Sequence, residues 1–446
     1  MENICISPLD DRYKSKTEVL KPYFSEYALF KYRLLVELQY FVSLCRLKLP
    51  ELDVTESNFT VEKVDKLLLN MYRDYDYDDY MEVKKKEQVT KHDVKALEYF
   101  IKDKFEKIGL GKYTSFIHFA LTSQDINNTS VSYSLKEYIE LHHTNVLTDL
   151  VKKINDKSEM WKDIVMITRT HGQPAVPSTL GKEFKVFSYR LELQMELLDS
   201  IKYYGKFGGA VGNLNAHKVA YPDIDWVAFG EKFLDEFNLR RSEFTTQIDN
   251  YDNLSVVFDN LKRINTILID LCQDIWLYIS MDYIKQQIIK GEVGSSTMPH
   301  KVNPINFENA EGNLKIANSL LEMFSRKLPV SRLQRDLTDS TVLRNIGVIF
   351  GYILVAISNL STGFDKLDVN HIKINQDLED NYVVISEGIQ TILRKHGQAN
   401  AYEQLKDFTR KNKKITKEIM NEFINSLDVN QSIKIELLSV DVHSYI

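Results

Sequence analysis

Apolar residues recur every three to four positions over long stretches of this chain, and strand-like alternation is scarce. Across 253–290, Val256, Val257, Leu261, Ile264, Ile267, Leu268, Leu271, Ile275, Ile279, Ile284 and Ile288 fall at helical spacing with no glycine or proline between them. That pattern predicts one helix of about 38 residues, roughly 57 Å long. A helix of that length overruns a small domain and suits a bundle, and its nearly all-round apolar surface suits burial between subunits. An earlier helix is expected from Ser25, its N-cap, to about Leu47, with Leu34, Leu35, Leu38, Val42 and Cys45 on one face and Pro50 beyond its end. Further helices are expected from Val94 through Phe105, from about Asn128 to Lys157, and over 183–204, 305–327 and 340–359. The last contains Gly347 and Gly351, four apart, which permits close contact with a neighbour.

The interruptions are as informative as the helices. The acidic and aromatic run from Asp74 to Tyr80, followed by Lys84, Lys85 and Lys86, is expected to be an exposed turn between helices. Arg169-Thr170-His171-Gly172-Gln173-Pro174 breaks the pattern. Gly208-Gly209-Ala210-Val211-Gly212-Asn213 superficially resembles a dinucleotide-binding turn, but no β-branched strand precedes it and no acidic-ended βαβ unit follows. Past Gly363 the composition shifts to a small helical cap whose lysines Lys411, Lys413, Lys414 and Lys417 form a solvated face. The chain is therefore expected to be all-α in three parts: an N-terminal domain over 1–111, a central helical bundle over 112–364 and a C-terminal domain over 365–446.

Composition narrows the function. The 446 residues are 43% hydrophobic and 27% charged, ordinary for a globular protein, and the net charge of -6 gives no argument for nucleic acid. Cys5, Cys45 and Cys272 are far apart and odd in number, which fits a reducing compartment and no disulfide or metal spacing. The N-terminus lacks an apolar signal core, and no later run reads as long and uncharged enough to span a membrane, so a cytoplasmic protein is expected.

The chemistry concentrates in 291–313. Gly291, Gly294, Pro299 and Pro304 exclude regular structure, so a polar loop carrying Ser295, Ser296, His300, Lys301 and Asn303 runs into the helix that begins near Ile305. From Gly294 to Asn303 the pattern Gly-Ser-Ser-x-Met-Pro-x-Lys-x-Asn resembles the loop of the fumarase/aspartase superfamily, whose members release fumarate from a substituted succinate by elimination. Such a reaction needs a base for a weakly acidic C–H, donors for the charge that builds on the neighbouring carboxylate, and an acid for the departing group. The resemblance makes Ser295 the base, Ser296 a substrate contact, and Lys301 and Asn303 carboxylate donors. Arg169–Pro174 is similar to the segment in which the superfamily's histidine acts as general acid, which implies that role for His171. Glu308 matches the carboxylate that hydrogen-bonds this histidine.

Other segments resemble the adenylosuccinate lyase branch: Arg12-Tyr13, His92-Asp93, the run from His118 through Thr122-Ser123 to Asn128, Thr246-Gln247, and Ser331 to Arg344. By that resemblance Arg12, Tyr13, Arg335, Ser340 and Arg344 contact the nucleotide end, and arginine forks suit a phosphate. Thr122, Ser123, Lys301 and Asn303 contact the succinyl end. Gln247 and Asn309 bind substrate, and Val302, Thr341, Val342 and Leu343 lie in the same binding segments. His92, Asp93 and His118 line the site. Lys91 precedes them and departs from that pattern, standing where related chains often have a small polar residue. The resemblance further implies a homotetramer around a shared helical core, with each site drawn from three subunits. It implies no metal or organic cofactor, and no nucleic-acid or membrane partner. The implied reactions are adenylosuccinate to AMP and fumarate, and succinylaminoimidazole carboxamide ribotide (SAICAR) to AICAR and fumarate. An argininosuccinate lyase, a lyase relative without turnover and a nucleotide-binding regulator are the competing readings. Retention of Ser295, His171, Lys301 and Glu308 speaks against the inactive relative.

Overall fold

The computed structural model describes residues 5–287, 298, 301–411 and 414–446. The fold is all-α, with three two-stranded sheets among the described residues. It divides into two compact units: Met1–Leu147 with Gln194–Thr266 and Gly312–Ser358, and Thr148–Leu193 with Ile267–Glu311 and Asn359–Ile446.

In the first unit the Glu26–Arg46 helix starts where Ser25 accepts the Ala28 N–H, as the sequence leads one to expect. It buries Phe30, Leu34, Val36, Leu38, Phe41 and Leu44, a wider surface than one stripe, and Arg33 and Glu37 are buried with them. Of the turn expected over Asp74–Tyr80, only Tyr75 and Asp76 lie between helices Val61–Asp74 and Tyr77–Thr90; Tyr77–Tyr80 and Lys84–Lys86 are helical, and Asp76 accepts the Asp79 N–H as N-cap. Tyr75 is not exposed; the ring is buried edge-on to Phe100. The expected helix to Lys157 is present as Ser123–Tyr138 and Thr144–Met160, joined through a π-helical turn at Ile139–His143.

Three further expectations need correction. The helix predicted over 253–290 ends at Ser280. Asp282 adopts a left-handed conformation (φ 60°), and the Tyr283 N–H reaches back to the Tyr278 carbonyl, a Schellman-type end built without glycine. Ile284–Gln286 then forms a short strand against Leu367–Val369. The helix predicted over 340–359 is two, Thr338–Leu343 and Ile346–Asp365. At the break the Asn345 side chain donates to the Thr341 carbonyl, competing with the helical ladder. Finally, Thr338–Asp365 is apolar and long enough to cross a membrane by length and composition, but half of the qualifying stretch is buried inside the protein, as in a core helix. Gly347 and Gly351 do permit close contact, with Phe24 and Leu9: a Cβ there would lie 2.7 and 2.8 Å from those side chains.

A two-residue parallel pairing of Tyr204–Gly205 with Arg240–Arg241 lies in the first unit, and the second unit carries the remaining unforeseen strands. Val165–Thr170 and Gln173–Thr179 form an antiparallel hairpin whose turn is the Arg169–Pro174 breaker. Around it, Trp161 packs edge-on against Phe184, and Phe364 contacts both Phe184 and Phe307. The C-terminal part is helical as expected, in short pieces from His371–Asp380 to Gln431–Leu438.

The π turn places His143 in the first unit's core. It is 1% exposed, edge-on to Phe350, and neither ring nitrogen has a hydrogen-bond partner among the described residues. Burial depresses its pKa to about 4. The unfolded chain therefore binds a proton near pH 6.5 that the folded chain refuses until about pH 4, and stability falls as pH drops through that window. His143→Leu should remove this loss, gaining about 2 kcal/mol relative to wild type at pH 5 and less at pH 7.5. Urea unfolding of both proteins at the two pH values measures it, and an equal gain at both would refute the protonation account.

Candidate active site

The predicted site residues fall into two sets, one in each unit. In the first, the Asp93–Lys107 helix opens the site. Lys91 takes a left-handed conformation (φ 55°) at the end of the preceding helix. His92 is the N-cap; its Nδ1 accepts the Lys95 N–H, which leaves the neutral ring's proton on Nε2. Asp93 receives the Arg33 and Arg344 guanidiniums, each at 2.9 Å. Burial alone would raise this carboxyl. Arg33, the Val94 N–H and Arg344 outweigh it and hold the pKa at about 2.

Two buried carboxylates shape the next segment. Glu37 lies 2.5 Å from His118 Nδ1 and, against the effect of burial, raises the imidazole's pKa. Asp125 is 1% exposed; its Oδ2 accepts the Thr122 N–H at 2.8 Å. Its Oδ1 accepts the Gly208 and Gly209 N–H groups and faces Lys206 Nζ at 2.8 Å. Lys206, fully buried, also donates to the Gly209 carbonyl. Thr122 and Ser123 thus sit where the Ser123–Tyr138 helix begins, with the small-residue loop tied beside them. That loop is a clamp on backbone groups; it is no dinucleotide turn.

Gln247 spans the loop and the arginines. Its Nε2 donates to the Ala210 carbonyl at 3.0 Å, and its Oε1 accepts from Arg335 Nη1 at 3.3 Å. Arg335 Nη2 donates to Ser340 Oγ, which also accepts from Gln124 Nε2. Behind Arg335, Asp339 is held by the Tyr251 hydroxyl, and Tyr251 by Asn128. Ser340, Leu343 and Arg344 also line a cavity of about 320 Å³, together with Arg33, Gln124 and the rings of Tyr23 and Phe24. Thr341 is exposed and Val342 half-buried in the same segment. Arg12 is exposed beside the Tyr13 ring.

In the second unit, His171 is at the hairpin tip, exposed, with a left-handed backbone (φ 53°) and no polar partner among the described residues. Lys301 is exposed, and Val302 and Asn303 are half-buried. The Val302 carbonyl accepts from Gln286. Glu308, in the first turn of the Ile305–Lys327 helix, accepts from Trp276 Nε1 at 3.1 Å. Asn309 accepts from Asn359. Ser295 and Ser296 lie outside the described residues.

Sequence reasoning missed Arg33, Glu37, Gln124, Asp125 and Lys206, which hold the named residues in place. A signal existed for two of them: Arg33 and Glu37 are four apart on a helix otherwise apolar along that surface, where unpaired charges are too costly to bury.

Comparison with known proteins identifies the family. A family model described as lyase matches residues 11–317, and one described as adenylosuccinate lyase C-terminal matches 331–446. The chain is 51% identical to the adenylosuccinate lyase of Dictyostelium discoideum, over 99% of this chain and 96% of the relative. It is 44% identical to that of Legionella pneumophila strain Corby, with the same coverage. Among solved structures, a fumarate lyase from Mesorhizobium sp. BNC1 superposes with a TM-score of 0.74 at 15% identity, covering 96% of this chain and 95% of that one, a likeness of fold. The chain belongs to the adenylosuccinate lyase family of the fumarase/aspartase superfamily, and it is a lyase.

Proposed function

We propose that the chain cleaves adenylosuccinate to AMP and fumarate, and SAICAR to AICAR and fumarate, by β-elimination. One observation carries the substrate reading: Gln124, Gln247, Arg335 and Ser340, from three distant stretches of sequence, meet in one hydrogen-bonded group. Bidentate arginine with neutral donors suits a phosphate. Arg344, held by Asp93, adds a second guanidinium to the same binding segment. A dicarboxylate alone would not need this apparatus. The C-terminal match to adenylosuccinate lyases weighs against an argininosuccinate lyase.

In the proposed reaction Ser295, as alkoxide, takes the proton from the succinyl carbon. The C–H electron pair becomes the new C=C bond of fumarate, and the C–N pair leaves with nitrogen. His171 supplies the proton that nitrogen needs. Lys301 and Asn303 hold the carboxylate on which negative charge accumulates. Glu308 orients the imidazole and favours its protonated form.

The active form is proposed to be a homotetramer with composite sites, and the three-part division over 1–111, 112–364 and 365–446 is retained as its domain plan. Two features support this. His171 is exposed and unpartnered among the described residues, as a group presented to another chain would be. On the Leu180–Ser200 helix, Val186, Tyr189, Leu193 and Leu197 form a helical stripe 40, 58, 40 and 50% exposed, more apolar surface than a helix of an isolated chain ordinarily leaves in water.

Fumarate release, followed by ultraviolet absorbance, tests the function with adenylosuccinate, SAICAR and argininosuccinate side by side. Ser295→Ala and His171→Ala should each lower kcat about a hundredfold or more, with KM for adenylosuccinate little changed, because both act in the chemical step. Near-normal kcat in either removes that residue from its role. Refolding the two variants together in equal amounts should restore about a quarter of wild-type activity if serine and histidine come from different chains. No recovery in verified mixed tetramers places both groups in one chain. Asp93→Asn strands the Arg33 charge, so it should cost about 3 kcal/mol in urea unfolding and raise KM by freeing Arg344. Unchanged stability would show that Arg33 needs no anion.

A further inference from the structure

We infer that Asp125, paired with Lys206, is a positioning residue for the elimination, holding the succinyl-binding Thr122 segment and Gln247 at a fixed spacing. This rests on the proposal that Thr122 and Gln247 contact substrate.

Every bond the Asp125 carboxylate makes, apart from the ion pair, ends on backbone at or close to one of those residues. Oδ2 takes the Thr122 N–H itself. Oδ1 takes the N–H groups of Gly208 and Gly209, two and one residues before the Ala210 carbonyl that receives Gln247 Nε2. The loop also lies hard against the backbone leading to Gln247: a Cβ on Gly212 would fall 2.1 Å from the Thr245 carbonyl oxygen. One carboxylate therefore spans the start of a helix and a loop more than eighty residues away. Lys206 supplies the countercharge and, through the Gly209 carbonyl, grips the same loop. A pair kept only for stability is a poor explanation, because a buried ion pair is commonly replaced by apolar groups of similar size without loss. Apolar groups cannot organise three backbone amides.

The stability and positioning roles separate in the double variant Asp125→Asn/Lys206→Met. Both charges go together, so no buried ion is stranded, while the Thr122 N–H loses its acceptor or the loop does. The expected result is a full-length protein with its melting temperature within about 5 °C of wild type, KM for adenylosuccinate raised about tenfold, and kcat changed less than threefold. A folded double variant with wild-type KM overturns the inference. So does a variant with a lowered melting temperature but unaltered kinetics at a temperature where it is folded, because that is a structural role alone. Should the double variant fail to fold, Lys206→Met takes its place. It leaves Asp125 its three backbone donors, and KM should rise about threefold. An unchanged KM there overturns the inference equally. Gln247→Ala, measured in parallel, tests the underlying site assignment. If it leaves KM untouched, that assignment fails first and the inference with it. If it raises KM while the double variant does not, only the positioning role is lost.

Discussion

A buried carboxylate must be matched by donors or it will not stay charged, and Asp125 meets that demand with three backbone N–H groups and one ammonium. The consequence reaches beyond electrostatics. The donors belong to segments that apolar packing alone would let slide, because the Gly208–Gly212 loop has almost no side chains with which to key into a core. Its glycines are required for the opposite reason: Gly209 and Gly212 have φ of 71° and 81°, and the backbone approaches Thr245 too closely for a Cβ. Such a loop is held by hydrogen bonds to its backbone. Asp125 provides them, and a surface of main chain, amide and hydroxyl groups, proposed to face substrate, is fixed as a result.

The same logic recurs through the first unit. Glu37 holds His118, Asp93 holds Arg33 and Arg344, and Asp339 holds Tyr251. Each acidic group is buried or half-buried, and each fixes a residue at or beside the proposed substrate surface. Fixed donors cost no reorganisation when the transition state forms, which is the main advantage of a protein site over water. Set against this, His143 is a buried polar group that holds nothing. It lies on the π turn, where the helical ladder is already irregular, among aromatic rings that satisfy neither nitrogen. The first unit thus tolerates an unsatisfied imidazole in its core.

How much of this could be read from residues alone follows from what each residue type reports. Helix content and the start at Ser25 were legible because capping and periodicity are local. The Ser280 end was not, because Asp282 does the work normally done by glycine, and Ile284 continues the apolar count into a strand that exists only through its pairing with Leu367–Val369. The 165–179 hairpin was hidden for a related reason. Its second strand contains Pro174 and Pro177, which read as breakers, yet in a two-stranded sheet a strand has a free edge on which a missing N–H does no harm. The candidate site residues were named through motif spacing. Their supports were not, since a lysine or an aspartate in a polar stretch gives no local sign that it is buried, and Lys206 and Asp125 are 81 residues apart in sequence.

Division of labour between the two units then acquires a physical rationale. The groups that would recognise the nucleotide in the first unit are locked by ion pairs and backbone bonds, and recognition of a large, multiply charged substrate rewards that rigidity. The groups proposed to move protons differ. His171 stands exposed on a hairpin turn, and Lys301 is exposed beside the helix that carries Glu308. His118 has a buried carboxylate partner in its own chain, Glu37, whereas the exposed His171 has none among the described residues. In the proposed homotetramer a neighbouring subunit supplies the groups around His171, and on that proposal its exposure reflects chemistry completed between chains rather than within one.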